Sequence, residues 1–375
     1  MKYVDAFRDG RLARAVRAEI EEAVDPARRY RLMEFCGGHT HAIFRYGVQD
    51  LLPDNVEMVH GPGCPVCVLP MGRVDMAIAL AERPEVTLCS YGDTLRVPGS
   101  RRRSLLQAKA AGADVRMVYS AADALAVARA EPEREVVFFA IGFETTTPPT
   151  AVALEQAIAE GLANFSVFCN HVLTPSAIAA ILDAPDADAV GIDGFLGPAH
   201  VSVVIGTEPY EVFAETYRKP VVVAGFEPLD VLQSILMLVR QLDAGRAAVE
   251  NQYTRAVTRH GNAKAQALMR RYFERRERFE WRGLGDIPAS ALRLRPAYAD
   301  FDAEARFAPA PRRPRENRAC RCPEILRGSV KPPECALFAT TCVPENPIGA
   351  CMVSAEGACA AHYAYRRRAS AQPAP

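Results

Sequence analysis

The chain has 375 residues, more than one compact core usually holds, so two or three domains are expected. Forty-five basic residues balance forty-five acidic ones, which argues against a partner in nucleic acid or an anionic membrane. No run reaches the roughly 18 apolar residues of a membrane helix, and the charged start MKYVDAFRDGRLARAVRAEIEE lacks the apolar core of a secretory signal. The expected location is the cytoplasm. In that reducing compartment eleven cysteines point to metal, cluster or redox work rather than structural disulfides.

From Met33 onward short apolar runs end in Gly- or Pro-rich loops and pass into helix-like segments. VEMVH leads to GPGCPVC, VTLCSY to GDTLRVPGS, VVFFAI to GFETTTPPT, and FSVFC to NHVLTP. AVGID and PVVVAG read as further strands. Such alternation predicts βαβ units in parallel sheets whose strands are covered on both faces. We therefore expect α/β architecture: two parallel-sheet domains, over 1–125 and 126–228, followed by a helical domain over 229–375. The segment from Pro228 to Glu280 reads as Arg-rich amphipathic helices meeting near DAGR. Phe307 to Ala319 is a Pro/Arg-rich connector, and RRRASAQPAP reads as a disordered tail.

In parallel sheets the loops at the carboxyl ends of strands form the binding crevice. That rule gathers Cys36, Cys64, Cys67, Asp93, Glu144, His171 and His200, provided their strands share an edge or face one cleft. GPGCPVC sets Cys64 and Cys67 as a C-x-x-C between strand and helix, where free amides favour thiolate. The pair is either a reversible dithiol, suited to two-electron transfer, or half of a zinc site. In CGGHTH the glycines allow close approach to Cys36, and His39 and His41 could share one face of an extended loop. This reads as an open transition-metal site or as a tight turn with capping histidines. Glu144 in GFETTTPPT is a candidate for proton transfer, while Thr145 to Thr147 also suit a helix N-cap. Lone histidines such as His171 and His200 are more often hydrogen-bonded structure, and Cys89 and Cys169, inside apolar strands, are small buried hydrophobes.

Cys320, Cys322, Cys335, Cys342, Cys351 and Cys359 fall within the last 60 residues. No C-x-x-C pair occurs among them, and the wide, proline-interrupted spacing suits an iron–sulfur cluster on four thiolates better than zinc. Six thiols for four places leave the choice open.

Taken together, MEFCGGHTH, GPGCPVC, GFETTT and CALFATTCVPENPIGACMVSAEGACAA resemble the HypD family of hydrogenase maturation factors, in order from about Met33 to Tyr365. The resemblance implies that the two α/β domains are Rossmann-like and that the helical domain carries a C-terminal iron–sulfur segment, in a factor that helps build the iron of [NiFe]-hydrogenase, which carries two cyanides and one carbon monoxide. It implies a HypC-type chaperone sharing that iron and a HypE-type donor delivering cyanide as a thiocyanate; the hydrogenase large subunit is served indirectly. By motif, Cys36 becomes the iron ligand, His39 an assisting group, and Cys64 with Cys67 the redox pair. The family's cluster spacing of fourteen, six and sixteen intervening residues fits Cys320, Cys335, Cys342 and Cys359 as ligands of a [4Fe–4S] cluster, with Cys322 an alternative first ligand and Cys351 spare. Two rivals remain: a thiol–disulfide or cluster-dependent oxidoreductase acting on a small molecule, and a scaffold with a purely structural metal.

Overall fold

The computed structural model describes residues 6–311, 314 and 317–369. Two parallel sheets organise the chain. The first contains β1 (Tyr30–Glu34), β2 (Val56–His60), β7 (Gly194–Pro198), β8 (Val221–Ala224) and β9 (Val249–Asn251), in the order β2-β1-β7-β8-β9. The second contains β3 (Val86–Ser90), β4 (Val115–Met117), β5 (Glu135–Gly142) and β6 (Phe165–His171), in the order β4-β3-β5-β6. Every pairing within the two sheets is parallel. The α/β expectation holds.

The chain lays down β1 and β2, leaves to build the whole second sheet, and returns for β7 to β9. A boundary at 125/126 would therefore cut the second sheet between its paired strands β3 and β5. The reason lies in pairing: β1 takes β7 as a neighbour, with Met33 opposite Phe195, rather than any strand near it in sequence. Burial explains why these runs are strands. All seven residues of β6 and all but the first of β5 are buried, as parallel strands covered by helices must be.

Several local expectations are corrected. AVGID is not a strand: Ala187–Val190 is a short helix, and the strand follows as GFLGP. Glycine and proline are poor strand formers, yet Phe195 and Leu196 are wholly buried, and a central place in the sheet overrides propensity. The region after Pro228 is not uniformly helical. The helix Pro228–Asp243 turns at Gly245 into β9, and the helix Ala263–Tyr272 is followed by β10 (Phe273–Arg275), β11 (Arg278–Trp281), β12 (Gly285–Pro288) and β13 (Leu292–Leu294). β10 pairs with β13 and β11 with β12, both antiparallel. These strands are three or four residues long, too short for a period to show against the surrounding arginines. The expected tail begins inside the helix Ala358–Ala369, and residues 370–375 lie outside the described part.

One apolar core fills the space between the sheets, joining Met33 and Phe195 of the first to Val137 and Phe139 of the second and to the late cysteines. The outer face of the first sheet is closed by the helices Gly10–Ala23 and Pro228–Asp243. The helix Ala358–Ala369 returns across the molecule to the helix Gly37–Arg45, where the Tyr365 hydroxyl meets His41 Nε2 at 2.8 Å. No helix among the described residues is long and apolar enough to cross a membrane.

Candidate functional site

In the first sheet the chain steps from β1 to β2 on one side, while β7 lies on the other. A crevice opens at the carboxyl ends of strands where the order reverses in this way. Cys36 follows β1, Cys64 follows β2 and His200 follows β7, so all three come to that switch point.

Cys36 sits at the N-cap of the helix Gly37–Arg45 with extended backbone and 1% exposure. The GPGC turn is laid directly on it. Gly61 N–H donates to the Glu34 carbonyl at 2.9 Å, and Gly37 N–H donates to the Gly63 carbonyl at 3.3 Å. A Cβ on Gly63 would stand 2.2 Å from Cys36 N and 2.4 Å from the Phe35 carbonyl carbon, so only glycine permits this approach. The two thiol loops are thereby held as one unit.

The imidazole at Cys36 is that of His200, whose Nδ1 lies 3.6 Å from Sγ. Burial lowers the His200 pKa to about 4, so the ring is neutral and accepts from the thiol. His39 and His41 do not share a face, because the segment is helical rather than extended and residues two apart point to opposite sides. His39 is wholly buried; its Nε2 donates to the Ala224 and Gly225 carbonyls at 3.1 and 3.0 Å, and its Nδ1 has no partner among the described residues. Phe226 stacks between the His39 and His200 rings, at 4.8 and 5.2 Å. The His39 ring thus supports the wall behind Cys36, and it is the backbone N–H groups of His39 and Gly38 that hydrogen-bond to the sulfur.

Two carboxylates surround the thiol. Glu34, fully buried, accepts from Cys36 N–H at 2.8 Å, from the Thr40 hydroxyl, and from His60 Nδ1 at 2.9 Å. Glu356 packs against Gly37, where a Cβ would meet its side chain at 2.4 Å. Burial, then Glu356, then Glu34 push the Cys36 thiol well above its ordinary pKa. Burial, followed by Asp93 and Glu34, raises that of Glu356, so the predicted loop residue Asp93 does reach this cleft. The cleft is negatively charged around a neutral thiol.

Cys64 caps the short helix Pro65–Val68, and Cys67 lies inside it; both are buried. Burial raises the Cys67 pKa, and the neighbouring thiols of Cys351 and Cys64 raise it further. Cys351 is wholly buried, and its pKa falls to about 6 because Cys322 and Cys67 both hydrogen-bond to its sulfur. Cys351, the thiol that the family resemblance leaves spare, therefore stands between the C-x-x-C pair and the C-terminal thiols.

Those thiols surround one small cavity, lined by Cys320, Cys322, Cys335, Cys342 and Cys359 with Leu337, Phe338 and Met352. Among the described residues its walls carry no carboxylate or imidazole, and the donor set is all sulfur, which fits an iron–sulfur cluster. Cys320 is lifted first by its hydrogen bond to Cys322, and Cys359 likewise. Cys322 is thus the thiol that links the cavity to Cys351.

Glu144 does not join the thiol cleft. It is 2% exposed and caps the helix Thr174–Leu182, accepting from Thr174 N–H and Thr174 Oγ1, both at 2.9 Å. Burial raises its pKa to about 7. The neighbouring threonines do not cap their own helix: Thr146 Oγ1 donates to the Ile141 and Phe143 carbonyls at 3.1 and 3.0 Å. His171 is structural, held by Thr150 Oγ1 at 2.9 Å with its pKa lowered to about 4 by burial. Cys89 and Cys169 are buried in β3 and β6 as expected.

Sequence reasoning missed Glu34, His60, Glu356 and the position of Cys351. Glu34 and Glu356 lie inside the quoted motifs MEFCGGHTH and SAEGAC, but nothing in their spacing says that they converge. A polar residue at the buried end of an apolar strand, as Glu34 is, was the one available signal.

Comparison with known proteins identifies the family. The HypD profile, described as the Hydrogenase formation hypA family, matches residues 11–366. The chain is 68% identical over 370 residues to a protein named Hydrogenase maturation factor HypD of Rhizobium leguminosarum bv. viciae, covering 98% of this chain and 96% of that one. It is 65% identical to the protein of the same name in Azotobacter vinelandii (99% and 98% covered) and 50% identical to that of Escherichia coli K12 (99% and 100%). The chain belongs to the HypD family of hydrogenase maturation factors.

Proposed function

We propose that this protein is a redox-active assembly factor for [NiFe]-hydrogenase, on which an iron is held and furnished with cyanide and carbon monoxide. The observation that carries the reading is the contact between the two thiol loops, which fixes Cys36 against the turn bearing Cys64. Glu34 and Glu356 place negative charge around Cys36, a field that disfavours a bare thiolate and favours a cation bound at its sulfur. Cys36 is the iron anchor, and the thiol proton it shares with the neutral His200 ring is displaced to solvent as the metal binds. His39 positions this wall through Phe226.

Cyanide arrives as a thiocyanate on a HypE-type donor. Cleaving its sulfur–carbon bond takes two electrons, which Cys64 and Cys67 supply by joining their sulfurs and giving up two protons. Cyanide passes to the iron as the anion, one of the two protons leaves with the donor as its thiol, and the other is released to solvent. A [4Fe–4S] cluster on Cys320, Cys335, Cys342 and Cys359 would supply single electrons for restoring the dithiol. Cys322 and Cys351 form the link, since Cys351 contacts both Cys322 and Cys67. A HypC-type chaperone completes the iron site, and the hydrogenase large subunit receives the product.

Infrared spectroscopy on anaerobic protein co-expressed with its HypC-type partner tests this. Cyanide and carbon monoxide stretches are expected, with loss of both in Cys36→Ala and loss of the cyanide bands in the Cys64→Ala/Cys67→Ala double variant. Bands that survive Cys36→Ala overturn the anchor. Undiminished cyanide bands in the double variant overturn the dithiol role.

A further inference from the structure

A second cavity, of about 330 Å³, opens at the carboxyl ends of β5 and β6, away from the thiol cleft. Its size falls within the range of small-molecule sites, and its place at strand ends is where parallel sheets bind ligands. Glu144 reaches it from the end of β5, and Leu173 and Ser176 from the end of β6. The opposite side is closed by Ile205, the helix Ala263–Tyr272 and the β10–β13 ribbon. Neither Cys36, Cys64 nor Cys67 lines it.

The lining has two chemical characters. Leu173, Ile205, Met269, Phe273 and Leu292 make an apolar wall. Arg270, Arg275 and Arg295 stand around the cavity, against the carboxylates Glu144 and Glu274. Glu274 is already taken by Arg293 at 2.8 Å and approached by Arg295 at 3.9 Å. Among the described residues Arg270 makes only a 3.5 Å side-chain contact to Gln266 Oε1, and Arg275 feels the charge of Glu144 without a salt bridge to it. Two guanidiniums beside an apolar wall are thus without a hydrogen-bonded carboxylate. Burial leaves Glu144, held by Thr174, as a group able to offer either a proton or a lone pair.

We propose that this cavity binds a small amphipathic anion. A ring or short aliphatic body lies on the apolar wall, a carboxylate or phosphate sits at Arg270 and Arg275, and a hydrogen-bonding end meets Glu144. The anion belongs with the guanidiniums because a planar fork recognises both groups in bidentate fashion.

Isothermal titration of the full chain with benzoate, phenyl phosphate and inorganic phosphate tests the site. Saturable binding of at least one aromatic probe is expected, weakened about tenfold by Arg275→Glu, a loss of about 1.4 kcal/mol, and unchanged in Cys36→Ala. Tighter phenyl phosphate identifies a phosphoester ligand, and tighter benzoate a carboxylate; either supports the site. Three results overturn it: no saturable binding of either aromatic probe, binding that survives both Arg275→Glu and Arg270→Glu, or inorganic phosphate binding as tightly as phenyl phosphate. Both arginines are exposed, so the variants leave the core intact.

Discussion

Glu144 offers a quantitative test of the fold's electrostatics through the substitution Glu144→Gln. Burial raises its pKa from 4.5 to about 7. Between those values the folded chain holds a proton that the unfolded chain has released, so stability falls as pH rises through the window. Below pH 4.5 the carboxyl is neutral in both states and the burial cost is absent. Above pH 7 it is charged in both, and folding carries the whole cost of burying the charge. At about 1.4 kcal/mol per pKa unit, the loss between pH 5 and pH 8 is on the order of 2–3 kcal/mol. Glutamine keeps the shape and stays neutral. Its amide oxygen accepts from Thr174 N–H, and the Thr174 hydroxyl can turn to accept from the amide N–H. Thermal unfolding of both proteins is measured from pH 5 to pH 8, and groups that titrate in both cancel in the difference. The variant should gain on the wild type by a few degrees in Tm across the window. Parallel curves would refute the assignment of a buried, proton-holding carboxyl at the end of β5.

Two further outcomes follow from the thiol site. Gly63→Ala sets a methyl against the backbone of Phe35 and Cys36 and should lower stability by about 1–3 kcal/mol, with loss of the diatomic infrared bands; an unchanged Tm would show that the two loops are not locked together. Cys351→Ala removes the sulfur between Cys67 and Cys322 and should cost only about 1 kcal/mol of stability. Re-reduction of the Cys64–Cys67 disulfide, followed by alkylation and mass spectrometry after dithionite addition, should slow in this variant; an unaltered rate would remove Cys351 from the electron path.

The parallel sheets were legible because β5 and β6 are apolar on both faces, and a run such as VVFFAI has few other homes. The interleaving of the sheets was not. Pairing of β1 with β7 joins residues some 160 positions apart, and no local pattern encodes it. GFLGP was hidden for a different reason: Gly194 and Pro198 argue against a strand, and only packing on both faces makes it one. Beyond Pro228 arginine density imitated amphipathic helix, while the β10–β13 strands owe their form to pairing across turns.

At the site, the residue types were readable and their partners were not. The spacing of CGGHTH suggested that His39 and His41 act together, but a helix begins at Gly37 and turns them apart. The imidazole that reaches Cys36 comes from the far side of the sheet reversal, because His200 follows the strand that pairs with β1. Cys351 shows the same principle in the cysteine-rich segment. The resemblance to the family implies four cluster thiols and leaves two aside, yet a thiol left aside can be placed by packing where other sulfurs meet it. Cys351 contacts Cys67, which is 284 residues earlier, as well as Cys322. Holding those sulfurs together requires the C-terminal segment to fold back over the first sheet, and the contact of Tyr365 with His41 secures that return. The late cysteines are therefore packed against the thiol cleft rather than a separate appendage, and the electron path proposed for Cys64 and Cys67 rests on the docking of the last helix.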